Sequence, residues 1–263
     1  MLIAGRRGLL KPLDDFFSGM KVASITTDVL RDFSAKRMRQ GVSGPTVNRN
    51  LAMLRRMFKL AEQEHRVSIV PHFPMHKESE ARQGFLERPE FERFRAEMPE
   101  HLHPALTFCY ETGGRIGAMK QVIWPWVNLA KQEISFPQGI VKNRKPLIVP
   151  LSDELVSMLK KKFQRVGPVF EVENFRREWN KACVKCGLGE KTGQAWYQYK
   201  GLVPHDFRRS AVRNLINAGV DQAAAMKITG HRTIHVFLRY NIISTDQLHK
   251  AMERVTSKKT ATK

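Results

Sequence analysis

The chain has 263 residues, 42% of them hydrophobic, with 45 Lys and Arg against 25 Asp and Glu, a formal net charge of +20 at pH 7. That apolar content suffices for one or two packed domains and rules out wholesale disorder, while no apolar run approaches the ~18–20 residues of a membrane span. The excess charge is spread, +7 over residues 1–76 (13 basic, 6 acidic) and +13 over the remainder (32 basic, 19 acidic), so it points to a polyanionic partner, nucleic acid first.

The N-terminus lacks the apolar core of a secretory signal, and three cysteines (Cys109, Cys183, Cys186) fit a reducing compartment rather than a disulfide framework. Cys183 and Cys186 form one CxxC, with no second pair or His cluster to complete a zinc site. The expected location is cytoplasmic and nucleoid-associated, with no metal and no cofactor.

In chain order, Pro12 to Phe17 reads as the end of a short helix before a turn at Gly19. Thr26 or Thr27 caps the next helix, which carries Val29, Leu30 and Phe33 and ends in Lys36, Arg37 and Arg39, as the helix dipole favours. Gly41 to Pro45 is a turn. From Thr46 to about His65, Val47, Leu51, Leu54, Phe58 and Ala61 recur at helical spacing. Arg49, Arg55, Arg56 and Lys59 lie largely off that stripe, as a solvated face or as a face for phosphates. Residues 66–86, with Pro71 and Pro74, have linker composition.

Glu87-Arg88-Pro89-Glu90 opens a new helix. Pro104 to about Tyr110 is an apolar helix that breaks at Thr112-Gly113-Gly114, where Arg115 follows. Trp124, Trp126, Val127 and Leu129 belong to a packed segment. Ile134 to Leu151 contains two short β-rich runs around Asn143-Arg144-Lys145-Pro146, a predicted hairpin. Ser152-Asp153-Glu154 then caps another helix. The expected fold class is mainly α with a small antiparallel β-sheet (α+β). It divides into a helical domain over 1–76, a linker at 77–86, a second domain over 87–256 and a disordered tail at 257–263.

The stretch from Pro204 to Tyr240 concentrates the reactive residues. His205 and Arg208 stand at i and i+3. Val212, Leu215 and Ile216 continue the helix until Gly219 stops it. A second short helix over Gln222–Ile228 ends at Thr229-Gly230, His231 follows, and Tyr240 comes nine residues later. Singly these are a cap, a solvated charge and a core ring; together they can gather around one phosphate.

Four ordered pieces resemble the catalytic domain of the tyrosine recombinases, the phage-integrase family. They are Thr112-Gly113-Gly114-Arg115, Val141-Lys142 leading to Val149-Pro150-Leu151, His205-Asp206-Phe207-Arg208, and Gly230-His231 followed by Arg239-Tyr240. The resemblance spans about residues 85–255, and residues 20–75 look like that family's helical core-binding domain. It implies that Tyr240 is a nucleophile forming a 3′-phosphotyrosyl link. It further implies that Arg115 and Arg208 bind the non-bridging oxygens, His205 assists proton transfer at the tyrosine, His231 hydrogen-bonds the phosphate, and Lys142 protonates the leaving 5′-hydroxyl. The residue types suit the reaction. Guanidinium groups stay ionised and fork two hydrogen bonds onto phosphate oxygens, and a phenol with pKa near 10 needs a base or an electropositive pocket.

The expected activity is site-specific DNA strand exchange without metal or ATP, on double-stranded DNA, by a homotetramer holding two duplexes whose free form is a monomer. Arg49, Arg55, Arg56, Lys59, Arg144 and Arg232 are the expected DNA contacts. A type IB topoisomerase-like enzyme and a catalytically impaired DNA-binding remnant are the alternatives. Two departures stand out: Ala118 occupies a position where the family commonly carries a carboxylate, and the family's usual first helix is not recognisable, as in an N-terminally truncated chain. After Tyr240, Ser244 to Gln247 has capping-box spacing before Leu248, Met252 and Val255. That segment packs on its own domain or, as the resemblance implies, on a neighbouring protomer.

Overall fold

The computed structural model describes residues 4–78, 84–139, 146–241, 249, 252 and 253. It divides into two compact units, Met1–Ala81 and Arg82–Lys263. The architecture is mainly helical with small antiparallel sheets, as the sequence pattern leads one to expect.

The first unit holds three helices, α1 (Ala4–Phe17), α2 (Thr27–Arg39) and α3 (Gly44–Gln63). Helix α1 ends at Phe17 before Gly19, as expected, but is longer than the short helix anticipated, running from Ala4 with Pro12 inside it. Leu13 and Phe17 of α1 are buried among Leu30, Phe33 and the α3 stripe. The Thr26 hydroxyl accepts from the Val29 N–H and caps α2. On α3, Val47, Leu51, Leu54 and Phe58 are buried, each contributing roughly 1.5–3 kcal/mol by leaving water. Asn48 then ties the following segment back: its Nδ2 donates to the His76 carbonyl at 2.9 Å, and its Oδ1 accepts from the His76 N–H at 2.8 Å. With Phe73 buried as well, residues 73–76 pack as part of this unit despite their linker composition.

The second unit is built on α5 (His103–Thr112), whose residues Pro104 to Tyr110 are buried on every side. A helix apolar all round belongs in the centre of a domain. Helix α9 (Phe207–Asn217) lies along it, and the rings of Phe91 and Tyr110 stack at 3.9 Å, with Phe207 edge-on to both. Helices α4 (Arg88–Ala96), α7 (Asp153–Lys161) and α8 (Phe175–Lys185) complete the surround.

Beside them is a three-stranded antiparallel sheet in the order β1 (Val127–Asn128), β2 (Glu133–Phe136), β3 (Leu147–Pro150). Ile134 faces Val149 in its register. Ile134 and Phe136 are buried while Ser135 is exposed, the alternation expected of a half-buried strand. Strand β1 extends the predicted hairpin by one strand. The turn at 140–145 lies outside the described residues, as do Ser244 to Leu248 and Val255 of the proposed terminal helix. A second hairpin, β4 (Gly189–Lys191) with β5 (Tyr199–Gly201), was not anticipated: its three-residue strands are too short to carry an alternation.

A small third cluster of Val212, Ala225 and Phe237 joins α9, α10 (Gln222–Thr229) and α11 (Ile234–Leu238), with Tyr240 packed against it. No helix among the described residues is long and apolar enough to cross a membrane.

Candidate active site

Five of the sequence-predicted residues are positioned by helix ends. Helix α5 stops at Gly113 with φ +65°, and a Cβ there would lie 3.1 Å from that of Ala211 and 3.4 Å from Cγ of Arg208. A glycine is therefore required twice, for its left-handed backbone and for the close approach. Its carbonyl consequently faces α9 and accepts from Arg208 Nη1 at 2.5 Å. Arg115 follows as the N-cap of the one-turn α6 (Ile116–Met119).

His205 sits in a single 3-10 turn, Pro204–Asp206, that runs directly into α9. This turn is locked by Asp206, which is fully buried. Its Oδ2 accepts from the Val203 N–H at 2.8 Å and its Oδ1 from Arg209 Nη1 at 2.6 Å. Helix α9 closes in a Schellman motif, with Val220 N–H bonded to the Leu215 carbonyl and Gly219 N–H to that of Ile216. Asp221 caps α10, which ends at Gly230 with φ +65°, and His231 turns inward at once. Thr233 caps α11, and Tyr240 follows it with its N–H on the Phe237 carbonyl.

Those ends bring His205, Arg208, His231 and Tyr240 into contact. The Tyr240 hydroxyl is 2.7 Å from Nε2 of His205. Its ring lies 4.9 Å from the His231 ring, and the guanidinium carbons of Arg208 and Arg209 stand 5.7 and 5.6 Å from its centre. Arg115, Arg208, His231 and Arg232 line one cavity of about 560 Å³. Arg208 Nη2 is buried without a hydrogen-bond partner among the described residues, a donor that an incoming anion would satisfy.

The hydrogen bonds fix the protons on His231. Arg208 Nε can only donate, so His231 Nε2, 3.1 Å away, accepts. The Thr229 hydroxyl gives its one proton to the Ala225 carbonyl at 2.7 Å, so His231 Nδ1–H donates to that oxygen, also at 2.7 Å. His231 is thus neutral. Burial, then the charges of Arg208 and Arg115, push its pKa down to about 3. The resemblance gave His231 to the phosphate; its Nε2 is taken by Arg208. His205 is also held below its ordinary value, by burial first and then by Arg208 and Arg209. A neutral imidazole with its hydrogen on Nδ1 presents Nε2 as an acceptor to the Tyr240 hydroxyl. Burial and the neighbouring Arg115 likewise push Arg208 down, to about 9, still cationic at neutral pH.

His231 carries a pH signature. The unfolded chain takes up this proton near 6.5, whereas the folded chain holds out to about 3. Across that window each step towards acid favours the unfolded state, so the stabilising contribution is present above 6.5 and is lost as pH falls. Urea midpoints measured from neutral to acid pH should fall, and His231→Gln should flatten the fall. An identical profile in that variant would assign the acid sensitivity to other groups.

Ala118 lines the same cavity. With an alanine there, Arg208 is oriented by the Gly113 carbonyl and by His231, and His231 by Thr229. These two supports escaped the sequence reading: a carbonyl has no signature, and Thr229 read only as the end of a helix. Asp206, within the His205–Arg208 piece, and Arg209, just after it, were likewise passed over. Lys142 and Arg144 lie outside the described residues. Arg232 is exposed on the cavity rim. Arg49, Arg55, Arg56 and Lys59 are all exposed on α3 of the first unit, with Lys59 paired to Glu62 at 2.7 Å. No group of three or more His, Cys, Asp or Glu is placed to hold a metal among the described residues.

The model of the phage integrase family matches residues 85–247, and that of the phage integrase N-terminal SAM-like domain matches residues 7–65. Tyrosine recombinase XerD of Staphylococcus saprophyticus subsp. saprophyticus is 28% identical over 153 residues, 55% of this chain and 51% of that protein. The chain spans about half the length of the first curated relatives it matches. The Tn1549 transposon integrase in complex with a circular intermediate DNA is similar with a TM-score of 0.75 at 15% identity, over 97% of this chain and 94% of that one. A lambda integrase tetramer bound to a Holliday junction is similar with a TM-score of 0.69 at 16% identity, over 92% and 73%. At these identities the likeness to solved structures is one of fold.

Proposed function

The chain belongs to the phage integrase family, and we propose on that footing that it is a site-specific DNA recombinase working through a 3′-phosphotyrosyl intermediate. The observation that carries this reading is the Tyr240 hydroxyl, 2.7 Å from His205 Nε2, beside a buried Arg208 with an unpartnered Nη2.

In the proposed reaction Tyr240 Oη attacks the scissile phosphorus and passes its proton to His205. The phosphorus–O5′ bond breaks, and the departing oxygen takes a proton from Lys142. Arg115 and Arg208 receive the charge that develops on the non-bridging oxygens, the contribution preorganised donors make best in a buried site. The phosphotyrosyl ester keeps the energy of the broken bond, so a 5′-hydroxyl from another strand restores the backbone and frees the tyrosine without ATP. For His231 to reach the phosphate, Arg208 Nε must first release its Nε2.

Residues 1–76 act as a core-binding domain through Arg49, Arg55, Arg56 and Lys59, with 77–86 as the linker and 87–256 as the catalytic domain. Four protomers hold two duplexes, in the manner of the lambda integrase tetramer bound to a Holliday junction. The test is covalent capture. The protein is incubated with nicked duplexes carrying candidate attachment sequence, denatured, digested with nuclease and mapped by mass spectrometry. A nucleotide adduct on Tyr240 is expected; salt-sensitive binding with no adduct on any site DNA would make the chain a DNA-binding remnant instead.

A further inference from the structure

The β4–β5 hairpin has no part in the chemistry above, yet its loop is built with care. Thr192 N–H bonds to the Gln198 carbonyl, Gln198 N–H to that of Ala195, and Ala195 N–H to Gln198 Oε1 at 2.9 Å. A side chain at Gly193 would collide with Gln198, 2.3 Å from the new Cβ. From α8, Asn180 Nδ2 donates to the Trp196 carbonyl at 3.0 Å. The result is a fixed loop that holds an indole outward: Trp196 is 51% exposed, whereas Trp124 and Trp179 are buried and Trp126 is half-buried. Packing gives no reason for a large aromatic in that place.

Trp196 forms one wall of a cleft of about 520 Å³ shared with Lys120, Arg176, Arg177, Ile116 and Pro204. The three cations are exposed and enter no ion pair among the described residues. The nearby Glu178 is already paired with Lys181 at 2.8 Å. Two of the lining residues tie the cleft to the candidate site: Ile116 follows Arg115 in the chain, and Pro204 precedes His205. The cleft therefore begins one residue from Arg115 and one from His205 along the chain. Cations without counterions suit its phosphates. An exposed indole face suits a base, and only a base that is out of the duplex stack can offer its own face.

We propose that the cleft walled by Trp196, Lys120, Arg176 and Arg177 takes an unpaired nucleotide of the DNA strand adjoining the scissile phosphate. Trp196 stacks on the base and the three cations hold the flanking phosphates. The inference rests on the strand-cleavage reading for its orientation. What it adds is a place where strand separation, which any exchange of strands requires, is stabilised by the protein.

The test is a binding comparison on the full chain carrying Tyr240→Phe, so that no adduct forms. The probes are a fluorescein-labelled, fully paired duplex and the same duplex with a short single-stranded gap, read by anisotropy over a range of salt. The gapped probe should bind tighter, and Trp196→Ala should reduce that preference by roughly 5- to 150-fold, the range for one stacked base, with paired-duplex affinity unchanged. Trp196→Phe, which keeps a stacking face, should retain most of it. Arg176→Ala with Arg177→Ala should lower the salt slope on the gapped probe by about two. An equal preference in the parent and Trp196→Ala, or none in the parent, overturns the proposal. Adduct formation by the wild-type chain is scored separately on the same DNA, so a failed cleavage reading shows there and leaves the gap preference to be judged by itself.

Discussion

Replacing Tyr240 by Phe should abolish covalent capture of DNA while leaving binding and folding intact. The change removes one oxygen. The ring remains packed against the Val212, Ala225 and Phe237 cluster, 4.9 Å from the His231 ring and beside the guanidinium groups of Arg208 and Arg209. The fold loses a half-exposed hydrogen bond to His205, about 0.5–1.5 kcal/mol, so unfolding midpoints should move little. No other hydroxyl is placed to take over among the remaining three tyrosines. Tyr110 is buried and bonded to the Leu86 carbonyl, Tyr199 is bonded to that of Leu202, and Tyr197 lies on the exposed hairpin loop. The measurement is the fraction of nicked duplex retained on a denaturing gel. A band persisting in Tyr240→Phe at wild-type intensity would move the nucleophile to another residue and dismantle the site as assembled here.

What could be read from the sequence was whatever had a periodicity or a spacing. The α3 stripe of Val47, Leu51, Leu54 and Phe58 repeats at helical intervals, and all four are buried. Ile134 and Phe136 alternate with Ser135, and the strand is there. The glycines at 113 and 230 announced helix ends because no other residue adopts their backbone without strain. The parts that stayed hidden have no such signal. Residues 4–11 carry no clear helical stripe, yet α1 runs through them and past Pro12, with Leu13 and Phe17 packed on α2 and α3. Residues 73–76 have linker composition, and only the pairing of Asn48 with His76 and the burial of Phe73 bind them to the first unit. In the site, the proton arrangement of His231 depends on a threonine two residues earlier and an arginine on another helix, a relation between elements that no local motif records.

Ala118 changes how the cationic cluster is balanced. In a site where a carboxylate faced the arginines, part of their repulsion would be offset within the protein. Here burial and mutual repulsion both act on Arg208, and its direct partners at the site are a neutral carbonyl and a neutral imidazole. Among the described residues, Arg208 therefore has no anionic partner at the site. A cluster balanced this way should favour anions and be costly to hold together without one.

That imbalance makes Arg208→Lys the most informative change after Tyr240→Phe. The charge is kept, so long-range attraction for DNA and the salt dependence of binding should scarcely alter. The geometry is not kept. Arg208 uses its nitrogens in three directions: Nε towards His231, Nη1 towards the Gly113 carbonyl, and Nη2 unpartnered in the cavity. One ammonium on a flexible stem cannot hold the carbonyl and the imidazole while presenting a further donor to a phosphate oxygen. The single-turnover rate of capture at saturating DNA should fall by about 10²–10³-fold, as when one preorganised donor to a developing oxyanion is removed. A second readout separates this from a loss of structure. With the guanidinium no longer fixed on its Nε2, His231 is relieved of part of the electrostatic pressure that lowers its pKa, and the acid destabilisation described above should weaken in the same variant. A capture rate within about threefold of wild type would mean that charge alone suffices at this position, and that the three-way fork of Arg208 serves the resting structure rather than the transition state.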